Sequence, residues 1–218
     1  MQWALLFDFD GTLADTTGFL LQSMRHSFEL LPGRRPSDAE WIAGIGTPLR
    51  SQLRQFVPEP EVEPLYLRYR AFQKEHLTAL TRPFPATLEV VQRLRARGHA
   101  MAIVTSKSEE IARLSLAALG FTAFDALIGA DSVARHKPDP LPVLTALEKL
   151  GARPSEAVFI GDSPHDIASG NGAGVCTIGA LWGPFGREVL ERARPTHLLE
   201  RLELLPALLE RLGASRAD

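Results

Sequence analysis

Five short apolar runs, each too brief for a helix, lie along the chain at residues 3–9, 99–105, 124–128, 157–161 and 174–178. Several are apolar at consecutive rather than alternate positions. Strands read this way when helices cover both faces of their sheet. A weaker sixth run occupies 196–199. Between the runs, residues 87–97, 108–119 and 140–150 carry apolar side chains at helical spacing. Each opens on a polar residue or proline and stops at Gly98, Gly120 or Gly151. Strands alternating with such helices predict an α/β fold on a doubly wound, mostly parallel sheet.

The alternation fails once. From 15 to 81 the signals are helical only, at 19–30, 37–43, 48–56 and 61–80, with prolines at Pro32, Pro36, Pro48, Pro58, Pro60 and Pro64. One strand-to-strand crossover needs far fewer residues. The spacing therefore predicts an inserted helical cap over 15–82, with the core formed by 1–14 and 83–218. A chain of 218 residues with 45% hydrophobic content can bury cores of that size. The leucine-rich stretch 198–212 has helical spacing and is expected to pack on the sheet.

Charge and composition exclude several classes. The chain has 24 basic and 26 acidic residues, a formal net charge of −2, and no basic stripe interleaved with aromatics, so no nucleic acid partner is expected. The first eight residues lack a basic segment, and Asp8 cuts their apolar run short. No run approaches the roughly 18–20 apolar residues of a membrane span, so neither a secretory signal nor a membrane partner is expected. The single Cys176, read as a core thiol, suits a reducing compartment. These features predict a cytoplasmic protein, a monomer or a homodimer.

The chemistry gathers where the apolar runs end. Asp8-Phe9-Asp10-Gly11-Thr12-Leu13 directly follows the first run. Ligands of open α/β sheets bind beyond the carboxyl ends of the strands. Strand periodicity sends Asp8 and Asp10 to one side and Phe9 to the other. Two such close carboxylates require a cation between them or a proton on one. Gly11 permits a tight turn and a close approach to the backbone. The second run ends in Thr105-Ser106-Lys107, where a hydroxyl and the N–H groups opening a helix suit a phosphate. Equally, Ser106 or Ser108 can cap that helix. Lys107 reads as a solvated charge.

Arg135-His136-Lys137-Pro138-Asp139-Pro140 is a loop stiffened by two prolines, with Asp139 placed to cap the next helix. Such a loop holds Lys137 at a fixed point, and His136 can border the same place. Gly161-Asp162-Ser163-Pro164-His165-Asp166 closes another apolar run with a second pair of acids. Asp162 faces the same zone as Asp8, and Asp166 lies on the first helical turn. In the predicted cap, Gly44-Ile45-Gly46-Thr47-Pro48-Leu49-Arg50 forms a shaped turn, and Arg50 is a candidate clamp for a substrate anion. Tyr66 and Arg70, one helical turn apart, read as packing and a solvated charge. Trp182-Gly183-Pro184 reads as a turn bordering the site.

Taken in order, Asp8-Phe-Asp-Gly-Thr-Leu, Thr105, Lys137-Pro-Asp-Pro and Gly161-Asp162-Ser-x-x-Asp166 resemble the four motifs of the haloacid dehalogenase-like (HAD) hydrolase superfamily. The resemblance covers essentially the whole chain, and the helical insert resembles the C1-type cap. It implies that Asp8 is a nucleophile and Asp10 a general acid and then base. Thr105, with Ser106 beside it, and Lys137 would hold phosphoryl oxygens. Asp8, the Asp10 carbonyl and Asp162 would bind Mg²⁺, with Asp166 steadying it. The second aspartate, Asp10, is absent from dehalogenating relatives, so phosphatase chemistry on a small phosphorylated metabolite is implied. The cap loop looks most like that of phosphoglycolate phosphatases and related pyrophosphatases. A sugar-phosphate mutase of the β-phosphoglucomutase type shares all four motifs and is the alternative enzyme. A phosphate-binding regulatory module without turnover is the alternative outside enzymes.

Overall fold

The computed structural model describes residues 2–33 and 35–214. Six parallel strands form the central sheet. They are β1 (Ala4–Phe7), β4 (Ala100–Val104), β5 (Ala126–Ile128), β6 (Ala157–Gly161), β7 (Cys176–Ala180) and β8 (His197–Leu199), in spatial order β5-β4-β1-β6-β7-β8. Strand β1 lies between β4 and β6, with Leu6 opposite Ala102 on one side and Phe159 on the other. The strand order reverses direction at β1, so the ends of β1, β4 and β6 flank the crevice where ligands of such sheets bind.

Neighbouring residues of each strand serve opposite faces. Leu5, Phe7, Met101, Ile103, Val158 and Ile160 pack against α5 (Thr87–Ala96), α6 (Glu109–Ala118) and α10 (Leu205–Ala214). Leu6, Ala102, Val104 and Phe159 pack against α7 (Leu141–Leu150) and α8 (Pro164–Ala173). Burial on both faces explains why these strands carry no polar alternation. The leucine-rich end is less uniform than its spacing predicts. Leu198 and Leu199 belong to β8, a 3₁₀ turn covers Leu202–Leu204, and helix begins only at Leu205. Pairing with β7 captures the first two leucines before the helical period can act.

The remaining short helix of the core is α9 (Arg187–Arg192). Helices α1 (Thr17–Phe28), α2 (Asp38–Ala43), α3 (Leu49–Leu53) and α4 (Glu59–Leu80) follow one another between β1 and β4 with no strand of the main sheet among them, over the segment expected to form the cap. They enclose an apolar cluster of their own, including Leu20, Met24, Phe28, Trp41, Leu53, Val62, Leu65 and Tyr69. Fully burying one large side chain of this kind stabilises by roughly 1.5–3 kcal/mol. Ser37 caps α2 reciprocally with Glu40. Helix α4 starts before the predicted position and runs through Pro64. The missing N–H costs one bond to the first turn, and the buried Val62, Leu65 and Tyr69 offset it.

Chain entry to and exit from the cap pair as a two-residue antiparallel ribbon, β2 (Ala14–Asp15) with β3 (Arg82–Pro83). A second apolar cluster of Phe19, Leu77 and Ile111 ties the cap helices α1 and α4 to α6 of the core. No helix among the described residues is long and apolar enough to cross a membrane.

Candidate active site

Asp8 is the first residue beyond β1, and its N–H donates to the Ile160 carbonyl at 2.9 Å, which extends the pairing with β6. The residue is 4% exposed. The Lys137 ammonium donates to Asp8 Oδ1 at 2.9 Å, to Asp166 Oδ1 at 2.5 Å and to the Val104 carbonyl at 3.3 Å. The loop after β5 thus delivers one lysine to the ends of three other core segments. Asp139 is not the N-cap of α7, a position that Pro140 takes, but from one residue earlier its side chain accepts the Leu141 N–H at 2.9 Å.

Asp162 follows β6 and is fully buried. The Thr12 hydroxyl donates to its Oδ1 at 2.7 Å. Its Oδ2 is buried without a hydrogen-bond partner. Asp166 is engaged at both oxygens, Oδ1 by Lys137 and Oδ2 by the Ser163 N–H at 3.0 Å and hydroxyl at 2.6 Å. Oxygens of Asp8, Asp162 and Asp166 lie within 4.8 Å of one another.

These acids strain each other electrostatically. Burial, reinforced by the Asp166 and Asp10 charges and only partly opposed by Lys137, pushes the Asp8 carboxyl up to about 7. Burial and the neighbouring Asp166 and Asp8 raise Asp162 well above the carboxylate range. Burial works against the Lys137 charge, but Asp166 and Asp8 outweigh it and hold the ammonium above the ordinary lysine range. One lysine facing three buried carboxylates leaves net negative charge in a dry place. An orphaned carboxylate oxygen beside it makes the set a fit for a hard divalent cation with oxygen ligands.

Gly11 is what lets this packing close. It adopts φ +79°, and a Cβ there would lie 2.4 Å from Asp162 Oδ2. Gly11→Ala is expected to lower stability by at least about 1–2 kcal/mol, the usual cost of a left-handed backbone at a residue with a Cβ, and to dislodge Asp162. Urea unfolding of the two proteins measures it, and equal midpoints would contradict the crowding.

Asp10 does not join the three-carboxylate group. Its Oδ1 accepts from the Thr16 hydroxyl at 2.6 Å and lies 2.7 Å from the Lys107 ammonium. Lys107 is therefore not the solvated charge its sequence context predicts. Its side chain is 6% exposed, and its ammonium lies 5.8 Å from the centre of the Phe9 ring. Lys107 stands two residues beyond Thr105, as Asp10 stands two beyond Asp8, but that spacing does not say which way a long, flexible side chain turns.

A cavity of about 450 Å³ lies between the strand ends and the cap. From the core it is lined by Asp8, Asp10, Thr105, Ser106, Lys107 and His136, and from the cap by Arg50, Tyr66 and Arg70 among others. Asp162 and Asp166 sit behind Asp8, outside the lining. Thr105 is buried at the end of β4, and its hydroxyl accepts the Lys107 N–H at 3.2 Å. The Ser106 hydroxyl donates to the Gly46 carbonyl and so joins core to cap. Gly46, at φ +97°, lets the cap loop settle on Ser163, whose Oγ would be 2.8 Å from a Cβ at that position. Ser108 opens α6 without capping it, because its hydroxyl is bound by Arg70.

Arg50 reaches the cavity wall, with Nε and Nη2 donating to Glu63 at 2.8 and 2.9 Å and its guanidinium 3.4 Å from the centre of the Tyr66 ring. Tyr66 and Arg70 are not merely a packing residue and a solvated charge. Both line the cavity, and Arg70 is half-buried. The Trp182 indole N–H donates to the Thr12 carbonyl at 2.8 Å, so the turn after β7 does border the site.

Comparison with known proteins agrees with this architecture. Residues 5–180 match the family described as haloacid dehalogenase-like hydrolase. A pyrophosphatase, PpaX of Bacillus cereus, is 33% identical over 206 residues, spanning 94% of this chain and 95% of its own. The crystal structure of a hydrolase from Pseudomonas syringae superposes with a TM-score of 0.86 at 25% identity, covering 96% of this chain and 99% of that one. A predicted phosphoglycolate phosphatase from Haemophilus somnus shares the fold, with a TM-score of 0.85 at 23% identity over 95% of this chain and 98% of its own. The chain belongs to the haloacid dehalogenase-like hydrolase family. It is an enzyme of the phosphatase class within that family.

Proposed function

We propose that this phosphatase is magnesium-dependent and cleaves a small phosphorylated metabolite through a phosphoryl-enzyme formed on Asp8. The observation that carries the reading is the buried group of Asp8, Asp162 and Asp166 around one lysine, with Asp162 Oδ2 unpartnered. Asp8, the Asp10 carbonyl and Asp162 would hold the ion, and Asp166 would steady it through the surrounding bonds. When bound, the cation would neutralise phosphoryl oxygens and the acids that hold the ion itself.

Asp8 attacks phosphorus, forming a carboxyl–phosphate bond as the bond to the leaving oxygen breaks. Asp10 gives that oxygen its proton. Asp10 then takes a proton from water, which attacks the same phosphorus and releases phosphate and free Asp8. Lys137 and Thr105 hold the phosphoryl oxygens during both displacements, and Ser106 beside them ties in the cap loop at the Gly46 carbonyl. The block 15–82 forms the lid over this chamber, with its boundary at the β2–β3 ribbon. Arg50 meets the part of the substrate that is not transferred. A cytoplasmic setting accords with this assignment.

Phosphoglycolate is the first substrate to test, from the form of the cap loop. Pyrophosphate is the second, because a relative 33% identical across nearly the whole chain is a pyrophosphatase. Free phosphate should appear from one of these with Mg²⁺ and cease with chelator. Activity indifferent to chelator would sink the metal assignment. Substrate loss without free phosphate would favour the mutase alternative, and phosphate binding without any turnover would favour the regulatory one.

Metal binding should also stabilise the fold in a pH-dependent way. A carboxyl whose folded value rises from 3.8 to about 7 keeps its proton longer in the native state than in the unfolded chain. Its contribution to stability is therefore full below about 4 and is lost as pH rises through about 7. Without metal, this group weakens the protein across that window. Mg²⁺ binds the ionised form, so the rise in melting temperature it causes should be larger at pH 8 than at pH 5. Thermal melts with Mg²⁺ or chelator at both pH values test this, and equal rises would contradict it.

A further inference from the structure

Three arginines line the cap side of the cavity, and their charges are balanced differently. Arg50 is held by Glu63, and Arg54 donates to Glu59 at 2.8 and 2.9 Å. Both pairs are exposed, where water screens a guanidinium even without a partner. Arg70 is more enclosed, and burial weighs against its charge. Yet its Nη1 donates to Gln73 Oε1 at 3.0 Å and its Nη2 to the Ser108 hydroxyl, both neutral groups. No carboxylate among the described residues forms an ion pair with it. The acids whose fields reach it are engaged elsewhere, Glu110 with Lys74 at 2.7 Å and Asp131 with the Glu109 N–H at 2.7 Å. A half-buried cation satisfied only by dipoles is an expensive arrangement unless an anion completes it. The Tyr66 ring lies between the two groups in reach, its centre 3.4 Å from the Arg50 guanidinium carbon and 5.8 Å from that of Arg70.

We propose that Arg70, with Arg50 beside the Tyr66 ring, forms a cap site for a second negative group on the substrate. The preferred substrates are then compact phosphates whose leaving portion carries a carboxylate or a second phosphoryl group. Neutral-tailed phosphates leave Arg70 uncompensated. This deepens the phosphatase reading of the same cavity and rests on it.

The test titrates the full chain with Mg²⁺ and three phosphonates that cannot be hydrolysed. Methylphosphonate has a neutral tail, phosphonoacetate a carboxylate, and methylenediphosphonate a second phosphoryl group. Arg70→Gln should weaken at least one of the two tailed ligands tenfold or more relative to methylphosphonate, as expected for a lost charge-assisted bond. The ligand affected most identifies the second anion. Arg70→Lys should restore much of the preference. In turnover, the ratio of kcat/KM for phosphoglycolate or pyrophosphate over that for ethyl phosphate should fall likewise in Arg70→Gln.

A purely structural tie from Arg70 to Ser108 predicts something else. All three ligands would weaken together, or none would, and lysine would restore no preference. Either result overturns the proposal, as does a wild-type chain that binds tailed and untailed phosphonates equally. A wild-type chain that prefers the tailed ligands but hydrolyses no phosphate would instead overturn the phosphatase reading and leave the anion site standing.

Discussion

Asp8→Asn is expected to reduce phosphate release by about a thousandfold or more, because the displaced phosphoryl group then has no carboxylate to bind. The substitution preserves shape, and Lys137 keeps its bond to Asp166 at 2.5 Å, so the loop beyond β5 stays in place. The fold should survive and even gain. A carboxyl pushed up to about 7 by burial is ionised at pH 8 at a cost to the native state, and an amide carries no such charge. In chelator at pH 8, the variant should therefore melt higher than the parent. It should also bind Mg²⁺ less tightly, having lost one candidate ligand. Residual activity within tenfold of wild type would remove Asp8 from the nucleophile's role.

Lys137→Met has the opposite character. The methionine fills similar space, but it strands two buried carboxylates, Asp8 and Asp166, whose side chains are 5% and 0% exposed. Breaking a buried pair by removing one partner typically costs about 3–5 kcal/mol. Here the single cation serves two anions, so the upper part of that range is expected at pH 8. At pH 5 Asp8, pushed up to about 7 by burial, takes a proton, and the loss should shrink. Urea unfolding at the two pH values measures both. Phosphate release should also collapse, since the ammonium that meets the phosphoryl oxygens has gone. A variant as stable as the parent at pH 8 would mean that water or another cation already neutralises these acids.

The sheet was readable because its strands are buried on both sides, which leaves uninterrupted apolar runs in the sequence. The cap helices were readable because each turns one apolar stripe inward, as Leu20, Met24 and Phe28 do on α1. Strands β2 and β3 were not, since two residues carry no period. Asp8 and Asp162 could be proposed for the site because each terminates an apolar run, and Lys137 because two prolines stiffen its loop. Lys107 could not be oriented from sequence. A lysine carries its charge several bonds from the backbone, and nothing local tells whether Asp10 or water receives it. The same holds for Arg70, whose environment is decided by Ser108, 38 residues further along the chain and on the facing element. For Asp166, sequence did not reveal that both its oxygens are occupied by Lys137 and Ser163.

The β2–β3 ribbon has a consequence for how such enzymes diversify. The outgoing and returning strands are hydrogen-bonded neighbours, so the segment between them is a module with adjoining ends. It can be lengthened, shortened or exchanged for another without lengthening any path through the sheet or shifting the residues at its strand ends. Selectivity can thus be rewritten in one contiguous stretch of coding sequence while the bond-breaking apparatus is inherited intact.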